Sequence, residues 1–320
     1  VFKKILVTGG AGFIGSNFLE YMVPRYPGIV FINFDKLTRS ADPGNLEAVD
    51  GRPNYLFIRG DIADRDTVEW VIGEGIDAVV NFAAEYHEDR SMSFSGGFVM
   101  TDVVGCFNLL EAAQKFKVKR FLQVSTAEVY GSPIEEEYFG ESALPDPGSR
   151  GLAAKAAADC LARAYHRSCG MHVCISRCTN NYGPYQHREK FIPAVVYRAL
   201  RDEPVPIMGD GRQVRDWIYV RDHCRALELL LFKGRPGRIY NIAAEEERTN
   251  LELAGTILHI LGKSSSLLNF VPGLSGYQGR CAVRPDRIKK ELGWKQVHVL
   301  EVALQETVKW YEQRFACAPG

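Results

Sequence analysis

Gly10, Gly12 and Gly15 stand in the run TGGAGFIGS at 8–16, and Gly9 offers a parallel spacing one residue earlier. The run matches G-x-G-x-x-G, follows the apolar stretch from Ile5 to Thr8, and opens a helical pattern near Phe13. Glycines so placed permit a tight turn, let the backbone approach a pyrophosphate, and bring a helix N-terminus against its charge. Asp35 closes the next apolar stretch, twenty residues after Gly15. A carboxylate there accepts hydrogen bonds from both ribose hydroxyls and repels a 2′-phosphate, so the expected cofactor is NAD rather than NADP. Asp61, in RGDI after a third apolar run, is a second acid expected near the adenine. His172, Cys174 and Cys178 raise the question of a metal. They fall on the apolar run MHVCISRC, and the eight cysteines form no CxxC pair, so they read as core residues and no metal is expected.

These groups need a scaffold, and the first 180 residues supply one. Strand-like apolar runs at Ile5–Thr8, Ile29–Phe34, Tyr55–Ile58, Ala78–Phe82, Phe121–Ser125 and His172–Ser176 alternate with helical patterns, among them Val103–Phe116 and Leu152–Ser168. Such runs, separated by helices, predict an α/β fold: a Rossmann-type parallel sheet covered by helices on both faces. Beyond Asn180 the pattern is mixed. Helices are expected at Phe191–Leu200, His223–Phe232, Leu251–Leu261 and Leu300–Arg314, strands at Trp217–Val220 and Arg238–Ile242, and a turn region at EPVPIMGDG. The division expected is a cofactor domain at 1–180 and a smaller mixed α/β substrate-binding region at 181–320, with segments of the latter crossing back to the sheet. Lys+Arg and Asp+Glu are both 39, which gives no long-range attraction to nucleic acid or to an anionic membrane. No stretch approaches eighteen apolar residues and the first residues run straight into a strand, so a cytoplasmic protein without a membrane partner is expected.

From the cofactor motif onward the chain resembles the extended short-chain dehydrogenase/reductases, and within them the dTDP-glucose 4,6-dehydratases. The resemblance rests on TGGAGFIGS at 8–16, NFAAEYHEDRS at 81–91, STAEVYGS at 125–132, CTNNYGPYQHREKFIP at 178–193, GDGRQVRDWIYVRDHC at 209–224, YNIAAEEERTN at 240–250 and ELGW at 291–294. It implies NAD contacts from Gly9, Gly12, Phe13, Ile14, Gly15, Asp35, Lys36, Asp61, Ile62, Ala83, Ala84, Lys155 and Asn181. It implies substrate contacts from Glu128, Asn180, Lys190, Arg215, Asn250 and Arg280, with a nucleoside-diphosphate sugar as the ligand; a guanidinium fork and an ammonium suit its diphosphate. For Arg215, an ion pair with Asp216 or Asp222 is the structural alternative. The family's members pair through two long helices in a four-helix interface, which here would be Val103–Phe116 and Leu152–Ser168, giving a homodimer.

The family's chemistry takes a hydride from sugar C4, removes the acidified C5 proton with a Glu, protonates the departing C6 hydroxyl with an Asp, and starts from a Tyr in Y-x-x-x-K. A phenol has a pKa of about 10, so it needs a nearby cation to serve as a base. In this chain the T-D-E triplet reads Thr126-Ala127-Glu128, and Y-x-x-x-K reads Gly151 through Lys155. Glu128 and Lys155 remain, with Thr126 beside them, but the acid and the phenol are gone. Losing one positioned acid or base costs about 10²–10⁴-fold. Tyr86, where the family has a small serine, is a candidate replacement catalyst, a filler of the space left by Gly151, or a substrate contact. Tyr165 and His166 read as packing or surface residues. The family's G-H-D-R-R-Y segment is Gly276-Tyr277-Gln278-Gly279-Arg280-Cys281, so the base specificity is open. Two functions follow: NAD-dependent modification of a nucleotide sugar through C4 oxidation, by dehydration or epimerisation, or a catalytically silent homologue that binds the same ligands as a structural or regulatory partner.

Overall fold

The computed structural model describes residues 2–85, 96–133, 137–273 and 280–317. Its elements run β1 (Lys4–Thr8), α1 (Phe13–Arg25), β2 (Val30–Asp35), β3 (Tyr55–Arg59), α2 (Arg65–Gly73), β4 (Ala78–Asn81), α3 (Cys106–Lys115), β5 (Arg120–Thr126), α4 (Arg150–Cys169) and β6 (Val173–Cys178). They continue with β7 (Asn180–Tyr182), α5 (Phe191–Leu200), β8 (Val205–Met208), β9 (Val214–Tyr219), α6 (Val220–Lys233), β10 (Ile239–Ile242), β11 (Glu247–Thr249), α7 (Asn250–Ile260), β12 (Leu268–Val271), β13 (Arg280–Cys281), α8 (Asp286–Leu292) and α9 (Leu300–Cys317).

Among the described residues one seven-stranded sheet has the order β10-β6-β5-β4-β1-β2-β3, parallel throughout. Side-chain alternation divides its strands between two cores. Ile5 and Val7 face Phe18, Leu19 and Met22 of α1 and Leu227, Leu230 and Leu231 of α6. Leu6 points the other way, toward Val68, Val71 and Ile72 of α2, Leu109 and Leu110 of α3, and Ala158 and Ala162 of α4. Helices on both faces leave little of the central strands in water, which is why those strands read as continuous apolar runs.

The region expected to turn at EPVPIMGDG contains β8, paired in parallel with β12. Val205 and Ile207 are buried while Pro206 and Met208 face outward. The proline hid the alternation, and it is tolerated because a two-stranded sheet leaves a free edge for a residue with no N–H. Sequence patterning also missed α2 and α8, which are short, and β7, β11 and β13, which have two or three residues each. The helix expected from Val103 starts as a wide, π-type turn at Val99–Gly105 that runs into α3. Beyond residue 180, β10 returns to the main sheet beside β6, whereas β7, β9, β11 and β13 form a separate mixed sheet. No described helix is long and apolar enough to cross a membrane.

Candidate functional site

The strand order reverses between β1 and β4, and open α/β sheets receive ligands at such a switch point, beyond the carboxyl ends of their strands. A cleft of about 510 Å³ lies there, lined by Gly9, Gly12, Asp35, Asp61, Ile62 and Ala83, with Lys36, Ala84 and Thr101 at its wall. Gly9 has φ +67°, and a Cβ on it would come within 2.7 Å of the Ala83 backbone nitrogen. A Cβ on Gly15 would meet the Gly9 carbonyl oxygen. Both positions therefore need glycine for backbone packing. Gly12, the N-cap of α1, offers no side chain to cap the helix, so the first-turn N–H groups are left to meet an anion. Phe13 and Ile14 lie on that first turn, partly buried against the core.

Asp35 is nearly buried, and its two oxygens accept from the backbone N–H of Ala11 at 2.9 Å and of Leu37 at 2.8 Å. The carboxylate is thus fixed between the glycine loop and the loop after β2. Asp61 accepts from Ala63 N at 2.9 Å. Lys36 is held by Glu85 at 2.5 Å, by Thr101 Oγ1 at 3.0 Å and by Asp61 at 3.6 Å. Burial pulls the Lys36 ammonium down, but Glu85 and Asp61 outweigh it and hold its pKa above the ordinary value. The glycine cradle, the exposed helix N-terminus and the fixed acid together fit an adenosine diphosphate moiety.

Asn181 lies on β7. Its side chain is spent within the protein: Nδ2 donates to the Thr179 carbonyl at 3.0 Å, and Oδ1 lies 2.9 Å from His223 Nδ1. His223, a residue that sequence patterning did not single out, is fully buried, and burial lowers its pKa to about 3. It is neutral in the folded chain, so Nδ1 carries the proton and donates to Asn181. Unfolding returns it to an ordinary imidazole with a pKa of about 6.5, so the unfolded state takes up a proton below that pH and stability falls as pH drops from about 6.5 toward 3. At pH 5 the expected loss is about 2 kcal/mol, and His223→Gln should flatten that part of the profile when urea midpoints are compared at pH 7.5 and pH 5.

At the end of β5, Thr126 caps the short turn Ala127–Tyr130 by accepting from Glu128 N at 3.2 Å. This places Glu128, partly buried, at the carboxyl end of the sheet. Ala127 is fully buried against Tyr130, Ala243, Cys281 and Val283. Gly151, Lys155 and Asp159 follow at i, i+4 and i+8 on one face of α4, whose N-cap is Ser149. Lys155 Nζ lies 3.4 Å from Asp102 Oδ1, an acid carried by the π-type turn. Burial pushes the Asp102 carboxyl up and Lys155 opposes that shift. Among the described residues, a Cβ added at Gly151 would meet no atom within 4 Å. Tyr86 lies outside the described residues, as do Gly276 through Gly279. Tyr165 donates to Glu111 and His166 bonds the Met171 carbonyl, so both serve packing.

Asp159 is buried and paired with Arg177 of β6 at 2.8 Å; Arg177 also lies 4.5 Å from the Tyr130 ring centroid. Burial pushes the Asp159 carboxyl up and Arg177 counters it. Asp159→Ala should cost about 3–5 kcal/mol in chemical denaturation, because it leaves a guanidinium buried without its partner. A loss under about 1 kcal/mol would mean that the pair contributes little.

The mixed sheet gathers the residues expected to meet substrate. Asn180 opens β7, and its buried Oδ1 has no hydrogen-bond partner among the described residues, leaving an acceptor for an incoming donor. Arg215 in β9 stands opposite Cys281 of β13 and Arg248 of β11. Arg215 donates to the Val214 carbonyl at 2.8 Å, Asp216 takes Thr179 Oγ1 and the backbone of Ala244 and Glu246, and Asp222 takes Arg225 and His298. Arg280 binds Glu247 through both arms of its guanidinium, each at 2.8 Å, and faces Tyr138 at 4.5 Å. Lys190 is exposed at the N-cap of α5, and Asn250 is the first residue of α7 behind the Thr249–Glu252 capping box.

A family model described as GDP-mannose 4,6 dehydratase matches residues 6–307. The chain is 44% identical to a dTDP-glucose 4,6-dehydratase of Streptomyces niveus over 98% of this chain and 94% of the relative. The dTDP-glucose 4,6-dehydratase of Streptomyces venezuelae, solved with NAD and TYD bound, superposes with a TM-score of 0.93 at 42% identity, covering 98% of both chains. A UDP-glucuronic acid 4-epimerase of Bacillus cereus, solved with UDP-glucuronic acid and NAD, gives 0.89 at 27% identity over 97% of this chain and 99% of that one.

Proposed function

Because the chain belongs to the GDP-mannose 4,6-dehydratase family, an extended short-chain dehydrogenase/reductase group, and is closely related to the dTDP-glucose 4,6-dehydratases, we propose that it uses NAD to modify a nucleoside-diphosphate sugar through oxidation at C4. What supports this reading is the cofactor cleft with Thr101 at its wall, the ion pair of Lys155 with the neighbouring Asp102, and Glu128 at the carboxyl end of β5. When bound, the dinucleotide would supply the hydride acceptor for oxidation at C4, and with glycine at 151 the hydroxyl proton would pass to water. Lys155 would hold the nicotinamide-ribose hydroxyls and add positive charge beside C4. Once C4 is a ketone the C5 hydrogen is acidic, and the carboxylate of Glu128 removes it. Asn180, Lys190, Arg215, Asn250 and Arg280 hold the nucleotide and its diphosphate; Arg280 must loosen its fork on Glu247 to do so. Two copies pair through α3 and α4, where Phe107 of α3 stands exposed, with Met100 exposed on the π-type turn that leads into α3.

The second reading, a silent binding homologue, is supported by the glycine at 151 and the apolar burial of Ala127, which leave neither a phenol nor a carboxyl at the family's two proton-transfer positions. One experiment separates the two. The purified chain is incubated in deuterated water with a panel of nucleotide sugars that includes dTDP-glucose, and products are read by mass spectrometry. Deuterium at C5 or a 4-keto product establishes the enzyme; tight binding without exchange establishes the silent homologue.

A further inference from the structure

Three carboxylates and one ammonium meet at the wall of the cofactor cleft. Asp35 and Asp61 line it directly, and Lys36 is its only cation among the described lining residues. Glu85 comes from the segment after β4 and reaches Lys36 with Oε1 at 2.5 Å, while its other oxygen is set against Gly97 at the start of the next helical turn. Thr101 Oγ1 takes a second N–H of the ammonium at 3.0 Å, and Asp61 lies 3.6 Å from the same nitrogen. Arg39, three residues beyond Lys36, is engaged with Glu189 at 2.8 Å. We propose that Glu85 is a cofactor-specificity residue: by occupying Lys36 it denies an ammonium to a 2′-phosphate and so enforces the preference for NAD over NADP.

The argument is one of charge. A 2′-phosphate brings close to two negative charges to the ribose end of the cleft. Asp35 alone repels it, but an adjacent free lysine would offset that repulsion, since an ion pair near a protein surface is worth several kcal/mol before solvation is subtracted. Lys36 follows Asp35 in the chain and would be that lysine if its charge were not already taken up. With Glu85 in place the cluster is one cation against three carboxylates. Removing the Glu85 charge takes away the shortest ion pair of the ammonium and leaves it Thr101 and the more distant Asp61, without touching Asp35 or the glycine loop.

The test uses the full chain stripped of cofactor and titrated calorimetrically with NAD and with NADP. Glu85→Gln keeps the shape and removes the charge; NADP affinity should rise about tenfold while NAD affinity stays within about threefold. Adding Lys36→Met to that variant should abolish the gain. Unchanged NADP affinity in Glu85→Gln, equal weakening of both cofactors, or a gain that survives loss of Lys36 would each overturn the proposal. Lys36→Met in the otherwise native chain gives a separate reading: the NADP-to-NAD ratio should stay within about threefold, and a marked further loss of NADP would show that the ammonium already serves the 2′ position.

Discussion

Replacing Gly151 with tyrosine is expected to raise the rate of 4-keto product formation by about 10²–10⁴-fold. A Cβ there meets nothing within 4 Å among the described residues, and the new side chain lies one helical turn from Lys155. Glycine is also the poorer residue inside a helix by about 0.5–1 kcal/mol, so the substitution should not weaken α4. Gly151→Phe fills the same space without a proton to give or take and should stay at the native rate. The phenol must ionise to act, so the rate of Gly151→Tyr should climb with pH along a limb that the phenylalanine variant lacks. If both variants behave alike, the missing phenol is not what limits the chain. Ala127→Asp added to Gly151→Tyr would set a carboxyl among Tyr130, Ala243, Cys281 and Val283. Burial there favours the protonated form, which is the form that can donate to a leaving hydroxyl.

Glu128→Gln should lower deuterium incorporation at C5 at least about 10²-fold, because an amide of the same shape cannot accept the proton. NAD affinity should hold within about threefold, since Glu128 is not among the residues lining the cofactor cleft. The split between the two readouts matters. Loss of both would mean that the turn after β5 has collapsed, whereas undiminished exchange would remove Glu128 from the chemistry.

The cofactor half of this site was legible in the sequence because its signals are local. The glycines of 9–15 answer to one turn, and Asp35 closes one strand, so spacing alone places them. The strands of the main sheet were legible for a related reason: burial on both faces makes each one apolar from end to end. What spacing does not carry is pairing across distance. Asp102 and Lys155 are far apart in the chain and meet only because the π-type turn and α4 pack together. Glu85 and Lys36 are joined across the cleft in the same way. The hydrogen bonds of the Asn181 side chain to His223 and Thr179 are likewise contacts that no local pattern announces. Arg280 kept its residue type while its guanidinium was committed to Glu247, so identity at a motif position did not reveal its present partner.

The return of β10 to the main sheet limits how this protein can be divided. β6 is covered on one side by β5 and on the other by a strand encoded some sixty residues later, after the chain has built β7 and β9 of the mixed sheet. A fragment ending near residue 180 would therefore bare the N–H and C=O groups of β6 along a strand buried at every residue, the kind of edge that recruits another chain. It would also lose α6, which covers the face built on Ile5 and Val7. The cofactor lobe is thus an incomplete folding unit. Domain grafting and expression of the first 180 residues alone should fail by aggregation, while co-expression of the two pieces from a cut within 181–238 would let the missing strand be supplied from outside.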